Sequence, residues 1–331
     1  MADDAKMPAR SRYGRYAWWV LAYTVLVILW GTVVRATGSG AGCGDHWPLC
    51  EGQFIPHAAQ IATLIEFTHR LTSGLTVLLA AGLAYFAFRL FPARHAVRRY
   101  AAAAFVFTLM EGLLGAALVL VAPGRPASAA HVAILSLHLV NTFLLLASLA
   151  LTAQSAGERG FALNEQPVLP PSRGLIAAHA FGLVGVLGIA VTGTIAALAD
   201  SLHHATSFLQ GFQWDIAGGS PLLRLRIIHP VVAVIIGTFL IAVALHALVN
   251  PASPAARRAA ICLSALVLIQ FCFGALNVLL LAPVWLQVLH LLTADLIWIS
   301  LVLLTAYRLR VPAESEELEY VMLSAGKHPG I

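Results

Sequence analysis

The chain has 331 residues, 60% of them hydrophobic and 11% charged, with a formal net charge of +5 at pH 7. That charged fraction is less than half of the roughly 25% usual for soluble domains, and the mean hydropathy is +0.84. A soluble globular chain is thereby excluded, a bilayer-embedded one is implied, and the positive excess reads as membrane topology rather than as a nucleic-acid footprint.

Eight apolar runs, each near the ~20 residues a helix needs to cross a bilayer, lie at about 17–35, 62–88, 100–121, 131–153, 174–198, 225–249, 259–281 and 284–307. They specify an all-α integral membrane protein with eight transmembrane helices. The first run follows a polar, basic tail and leads into a loop without a small-residue cleavage site, so it is expected to be a span and not a cleaved signal. An even number of spans puts both termini on one side. Lys6, Arg10, Arg12, Arg15, Arg89, Arg94, Arg98, Arg99, Arg159, Arg173, Arg257, Arg258, Arg308 and Arg310 crowd the segments on that side. The opposite loops, 36–61, 122–130, 199–223 and 282–283, hold little besides Arg125. The positive-inside rule then makes both termini cytoplasmic and those loops external.

The two halves echo each other. "LMEGLLGAALVLVAP" (109–123) resembles "LIQFCFGALNVLLLAP" (268–283), "LHLVNTFLLLASLALTA" (137–153) resembles "LHLLTADLIWISLVLLTA" (289–306), and "GTVV" (31–34) has a weaker echo in "GTIA" (193–196). Each half has four spans, so both start inside, and the halves are expected to be parallel repeats packed as two four-helix bundles. The organisation is then a cytoplasmic tail (1–16), an N-terminal bundle (17–153), a cytoplasmic linker (154–173), a C-terminal bundle (174–308) and a cytoplasmic tail (309–331).

The repeat aligns His69 in the second span with His229 in the sixth, and His138 in the fourth with His290 in the eighth. Ionisable groups inside spans are costly and mark function by default. A lone membrane histidine is often a hydrogen-bonded packing residue, but four at matched places and depths argue against that. Two histidines facing across a bundle suit the two axial positions of a haem iron. Zinc would want further ligands nearby. A di-iron site would want two Glu-x-x-His motifs, and only Glu66–His69 is present. The reading is therefore two haem sites, one per half. His46, His57, His203 and His204 fall in external loops, His131 at the interface, His95 and His328 in cytoplasmic segments, and His179 and His246 have no repeat partner.

The halves differ where chemistry would be done. Glu66 lies one turn before His69 on the same helix face, a position suited to proton transfer; the alternative is a structural ion pair with Arg70 or Arg35. Its repeat counterpart is Arg226, and Arg226 and Arg224 suit the anchoring of haem propionates. Cys43 and Cys50 stand in an external, oxidising loop rich in glycine, where a disulfide is expected and the loop can fold back over the bundle mouth. The loop 199–223 has no cysteine, and its Leu202, Phe208, Phe212 and Trp214 are expected to form an interfacial lid. Cys262 and Cys272 read as buried packing thiols.

Taken together, Glu66-x-x-His69-Arg70, the histidines of "SLHLVNT", "RIIHP" and "VLHLLTAD", the Cys43/Cys50 loop and the eight-span repeat resemble haem A synthase, over about residues 17–308. The resemblance implies oxidation of a haem O methyl group by two successive hydroxylations to the formyl group of haem A, for haem–copper oxidases. It implies that His69 and His138 ligate the substrate haem, that Glu66 is the catalytic carboxylate, and that His229 and His290 ligate a haem b that passes electrons. With the iron closed by two histidines, water is the expected oxygen source. Partners in keeping with this are haem O, membrane lipid, haem O synthase, cytochrome oxidase assembly factors and a second copy of the chain in a homo-oligomer, with no nucleic acid. The rival readings are a dihaem quinol-oxidising electron-transfer cytochrome, with Glu66 as proton acceptor, and a haem-free transporter.

Overall fold

The computed structural model describes residues 7–57, 60–120, 128–157, 171–203, 205–217 and 221–309. Lys6, Arg125, Arg159, His204, Arg310 and His328, most of the expected linker and nearly all of the C-terminal tail lie outside those residues. Among the described residues there are ten α-helices and no strand: α1 Met7–Ala36, α2 Ile61–Leu90, α3 Ala96–Leu120, α4 Ala129–Ala156, α5 Arg173–Leu202, α6 Phe208–Ala217, α7 Pro221–Arg226, α8 Ile228–Val249, α9 Pro254–Leu279 and α10 Val284–Arg308. Eight spans are long and apolar enough to cross a membrane, α7 and α8 forming one of them. By the length and apolarity of its helices the chain is a multi-pass membrane protein.

Local sequence accounts for the helix ends. Ser128, Ser172 and Ser253 each accept a hydrogen bond from the third residue of the helix that follows, a cap worth about 1 kcal/mol. Pro254 sits in the first turn of α9, where its missing N–H costs nothing. Pro230 explains why the sixth span is split. It has no N–H to return to the Arg226 carbonyl, so the helix is interrupted at Ile227.

The helices outrun the apolar runs. α1 begins at Met7, so residues 7–16 of the expected tail are helical. They pack on α2: Arg10 Nε donates to the Leu90 carbonyl, Tyr13 Oη to that of Leu83 and Tyr16 Oη to that of Leu79. Hydropathy marks only the lipid-crossing part of a helix, whereas tyrosines and arginines continue the packing beyond it. The expected packing thiols are a correction. Cys262 and Cys272 are exposed on α9, because the face they share is not the one that meets α8 and α10.

Both halves have the same neighbour pattern. In the first, α1 and α3 each pack against α2 and α4, which places α2 and α4 on one diagonal. In the second, α5 and α9 each pack against α8 and α10, which places α8 and α10 on the other. The halves meet where α4 packs on α5 and α10, and where α10 packs on α1. This seam is the core: Leu146, Leu149 and Ala150 of α4, Leu301 and Leu304 of α10, and Ala17 and Val20 of α1 are buried. Trp298 of α10 stacks on Phe143 of α4 at 5.4 Å and donates its indole N–H to the Phe143 carbonyl.

Candidate functional site

The four expected histidines fall on the two diagonals, His69 on α2, His138 on α4, His229 on α8 and His290 on α10. Each is within three turns of the N-terminal end of its span. The rings of His229 and His290 come to 6.3 Å between centroids, nearly perpendicular to one another. At that separation one metal ion can stand between two imidazole nitrogens, each about 2 Å away. Thr192 Oγ1 lies 3.3 Å from His229 Nδ1, which leaves Nε2 for a metal, the usual division of labour for a ligating histidine. His69 and His290 each have a buried Nδ1 without a hydrogen bond among the described residues. A buried polar group without a partner costs about 1–3 kcal/mol, so these rings are built to meet something else.

A glycine of the neighbouring helix backs one ring of each pair. A Cβ on Gly31 of α1 would lie 3.0 Å from His69 Cε1, and a Cβ on Gly193 of α5 would lie 3.0 Å from His229 Cε1. These are the glycines of the weak "GTVV" and "GTIA" echo. The echo therefore has a physical content: only a residue without Cβ lets the helix approach the imidazole this closely. His229 and His290, by their ring separation and the glycine behind His229, fit bis-histidine ligation of a haem, and His69 and His138 occupy the matching diagonal of the first half. Among the described residues no three of His, Cys, Asp or Glu converge as a metal-ligating group.

Glu66 is buried, with 4% of its surface exposed. Its Oε1 accepts from Arg70 Nε at 3.1 Å and Nη2 at 2.5 Å, and its Oε2 accepts the Cys43 backbone N–H at 2.8 Å. Arg70 also donates to the carbonyls of His46 and Leu49, both at 2.6 Å. The pair thus ties the Cys43–Cys50 disulfide loop to α2, one turn from His69. Thr63 Oγ1 donates to the Gly42 carbonyl, and a Cβ on Gly42 would lie 2.5 Å from the Ala62 backbone, so the loop folds directly onto the start of α2. Of the two ion-pair partners considered for Glu66, Arg70 is present. Arg35 is used elsewhere: it crosses the seam and donates to the Ala197 carbonyl, Ser201 Oγ and Gln287 Oε1.

Arg226 is also engaged by the protein. It donates to Asp200 Oδ1 at 2.6 Å, to Asp215 Oδ1 at 2.8 Å and to the Gly211 carbonyl at 3.1 Å, which fastens α6 to the end of α5. Arg224 is exposed on the same short helix. In the expected lid, Phe208 and Phe212 are exposed and stacked on α6, Leu209 is exposed beside them, and Trp214 is half-buried. His131, placed at the interface by the sequence, has a buried Nδ1, and buried His179 bonds its own helix through the Leu175 carbonyl.

Two acidic residues escaped the sequence reading. Glu111 of α3 reaches His138, its Oε2 standing 2.5 Å from Nδ1, a contact outside hydrogen-bond alignment in this ring orientation. Asp295 of α10, one turn before Trp298, is fully buried with neither carboxylate oxygen hydrogen-bonded among the described residues. An acidic residue amid an apolar span is itself a signal, and Glu111 carried it in plain view within "LMEGLLG".

Residues 14–302 match the model of a family described as cytochrome oxidase assembly protein. A protein of Thermus thermophilus named protoheme IX farnesyltransferase is 43% identical over 317 residues, which cover 95% of this chain and 51% of that protein; its counterpart in a second strain matches equally. A heme A synthase of Bacillus cereus is 38% identical over 109 residues, 32% of this chain and 35% of that protein. The chain thus spans about half the length of the first of these relatives.

Proposed function

Given that the chain belongs to the cytochrome oxidase assembly protein family, we propose that it oxidises the methyl group of haem O to the formyl group of haem A. The observation that carries this is the pair of backed histidine diagonals, His69 with His138 and His229 with His290. In this reading His69 and His138 hold the substrate haem. His229 and His290 hold a haem b, which supplies one-electron transfer when bound. The termini are cytoplasmic, and the histidines and the disulfide loop lie toward the external face of a bacterial plasma membrane.

Converting a methyl to a formyl group with water as oxygen source releases protons and electrons in equal number. A haem held by His229 and His290 would supply the one-electron transfer that takes the electrons away, and the protons need a base at the macrocycle edge. Glu66, one turn from His69, is that base. Arg70 and the Cys43 N–H orient its carboxylate, and the disulfide loop closes the mouth over it and keeps bulk water out. Arg224 and Arg226 stand at the matching end of the second bundle, where propionates would be anchored; Arg226 would share its donors with Asp200 and Asp215.

The farnesyltransferase name of the Thermus relatives belongs to proteins about twice the matched length. We attribute the oxidation to the matched half and prenyl transfer to the remainder. The same pairing of matched and unmatched lengths supports a haem O synthase as working partner, passing on a substrate through membrane lipid, with other assembly factors receiving the product.

The test is Glu66→Gln, expressed with a supply of haem O, followed by haem extraction and chromatography. Gln keeps the shape and one acceptor for Arg70 but cannot take a proton. Haem should stay bound as haem O or its hydroxymethyl form, with haem A formation down by about 10²–10⁴. Normal haem A would remove Glu66 from the chemistry and leave it as the loop's latch.

A further inference from the structure

Resting on that reading, we infer that Glu111 is the positioning residue for His138, and that Glu111 with its α4 partners makes the electronic difference between the two haem sites. Glu111 Oε2 stands 2.5 Å from His138 Nδ1. Its Oε1 accepts from Asn141 Nδ2 at 2.6 Å, and Thr142 Oγ1, which also reaches the His138 carbonyl at 2.9 Å, stands 3.1 Å from it. Asn141 is itself fixed by a bond to the Phe107 carbonyl of α3. The carboxylate is therefore aimed by donors one turn beyond the histidine it serves.

The repeat supplies an internal control. "LMEGLLG" aligns with "LIQFCFG", so Gln270 replaces Glu111, and "HLVNT" aligns with "HLLTA", so Thr293 and Ala294 replace Asn141 and Thr142. Gln270 also meets the histidine of its half, but at the other ring nitrogen: its Nε2 stands 3.2 Å from His290 Nε2, whereas Glu111 stands at Nδ1 of His138. The supporting donors are gone. Ala294 has none, and Thr293 Oγ1 bonds its own helix at the Leu289 carbonyl. Carboxylate and supporting donors are thus present together in one half and absent together in the other. A residue kept only for packing would not need its acceptor bonds satisfied by a matched pair of donors.

A carboxylate on the outer nitrogen of a ligating imidazole fixes the tautomer, turns the other nitrogen to the metal and strengthens the ligand as an electron donor. A neutral amide adds little charge. The N-terminal haem site is accordingly the more electron-rich one, with its ferric state favoured.

The test uses the full-length, haem-loaded protein in detergent, with Glu111→Gln, Glu111→Asp and Gln270→Glu, and reads midpoint potentials and the low-spin ferric electron paramagnetic resonance spectrum. Such outer partners are typically worth 10–100-fold, and ten-fold in a one-electron equilibrium is about 59 mV. Glu111→Gln should raise the N-terminal potential by at least that ten-fold step and shift its spectrum, while the C-terminal haem stays put. Glu111→Asp should restore part of the value. Gln270→Glu should lower the C-terminal potential, which keeps the inference open to refutation even if every Glu111 variant loses haem. Unchanged potentials and spectra in Glu111→Gln, or in Gln270→Glu, would overturn the inference. A His138→Ala variant with wild-type haem content and spectrum would instead overturn the haem assignment on which it rests.

Discussion

Replacing Gly31 with alanine should empty one haem site without harming the fold. The new Cβ would stand 3.0 Å from His69 Cε1, so the ring must retreat by a few tenths of an ångström. In the haem-free protein the ring can pivot, and the substitution gains about 1 kcal/mol of helix propensity. With the ring held at the iron there is no room to pivot, and overpacking of this kind costs about 1–3 kcal/mol. At 1.4 kcal/mol per ten-fold, haem at His69 should bind roughly 5- to 150-fold more weakly, while haem-free thermal stability stays level or rises. Gly193→Ala should do the same to the His229 site, where the contact is also 3.0 Å. Gly274→Ala would place its Cβ 3.6 Å from His290 Cε1, ordinary contact, and Gly115→Ala meets nothing within 4 Å; both should keep their haem. The assay is haem content by pyridine haemochrome and absorbance titration, with melting of the haem-free protein measured alongside. Full haem retention in both Gly31→Ala and Gly193→Ala, or equal loss in Gly115→Ala, would refute the reasoning.

Arg35→Ala removes three hydrogen bonds that cross the seam to Ala197, Ser201 and Gln287; allowing about 1.5–3 kcal/mol for a charged bond and some solvation of the freed acceptors, stability should fall on the order of 3 kcal/mol, and an unchanged melting curve in detergent would show that the clamp is idle. His95, between α2 and α3, accepts the Val97 N–H and packs on Phe91; burial first, and the nearby Arg10 second, hold its pKa below the usual histidine range. Its neutral form is the folded one, so its contribution is complete above about pH 6.5 and is lost as pH falls toward the lowered folded pKa; comparing melting temperatures across that window, His95→Gln should be flatter than the parent, and parallel curves would reject the role.

The sequence by itself determined the number of spans, their approximate places, the four repeat-matched histidines and the disulfide pair. These follow from one-dimensional properties: apolar run length against bilayer thickness, and internal self-similarity. Glu66 could be placed beside His69 because one helical turn is a local relation. Its choice of Arg70 over Arg35 could not be placed, since both were within plausible reach and only the packing of α1 against α10 carried Arg35 away to the seam, where it meets Ala197 of α5 and Gln287 of α10. Arg226 reads in sequence as the repeat counterpart of Glu66, suited to haem propionates, yet α6 folds back and brings Asp215 to it beside Asp200 of α5. The contact between Glu111 and His138 joins different helices at a distance of 27 positions. No periodicity encodes it, because hydropathy is blind to how far each helix is rotated about its axis. In a bundle whose outer faces all meet lipid, that rotation is set by close packing, where a glycine or a bulky side chain at one contact decides which polar groups point inward together.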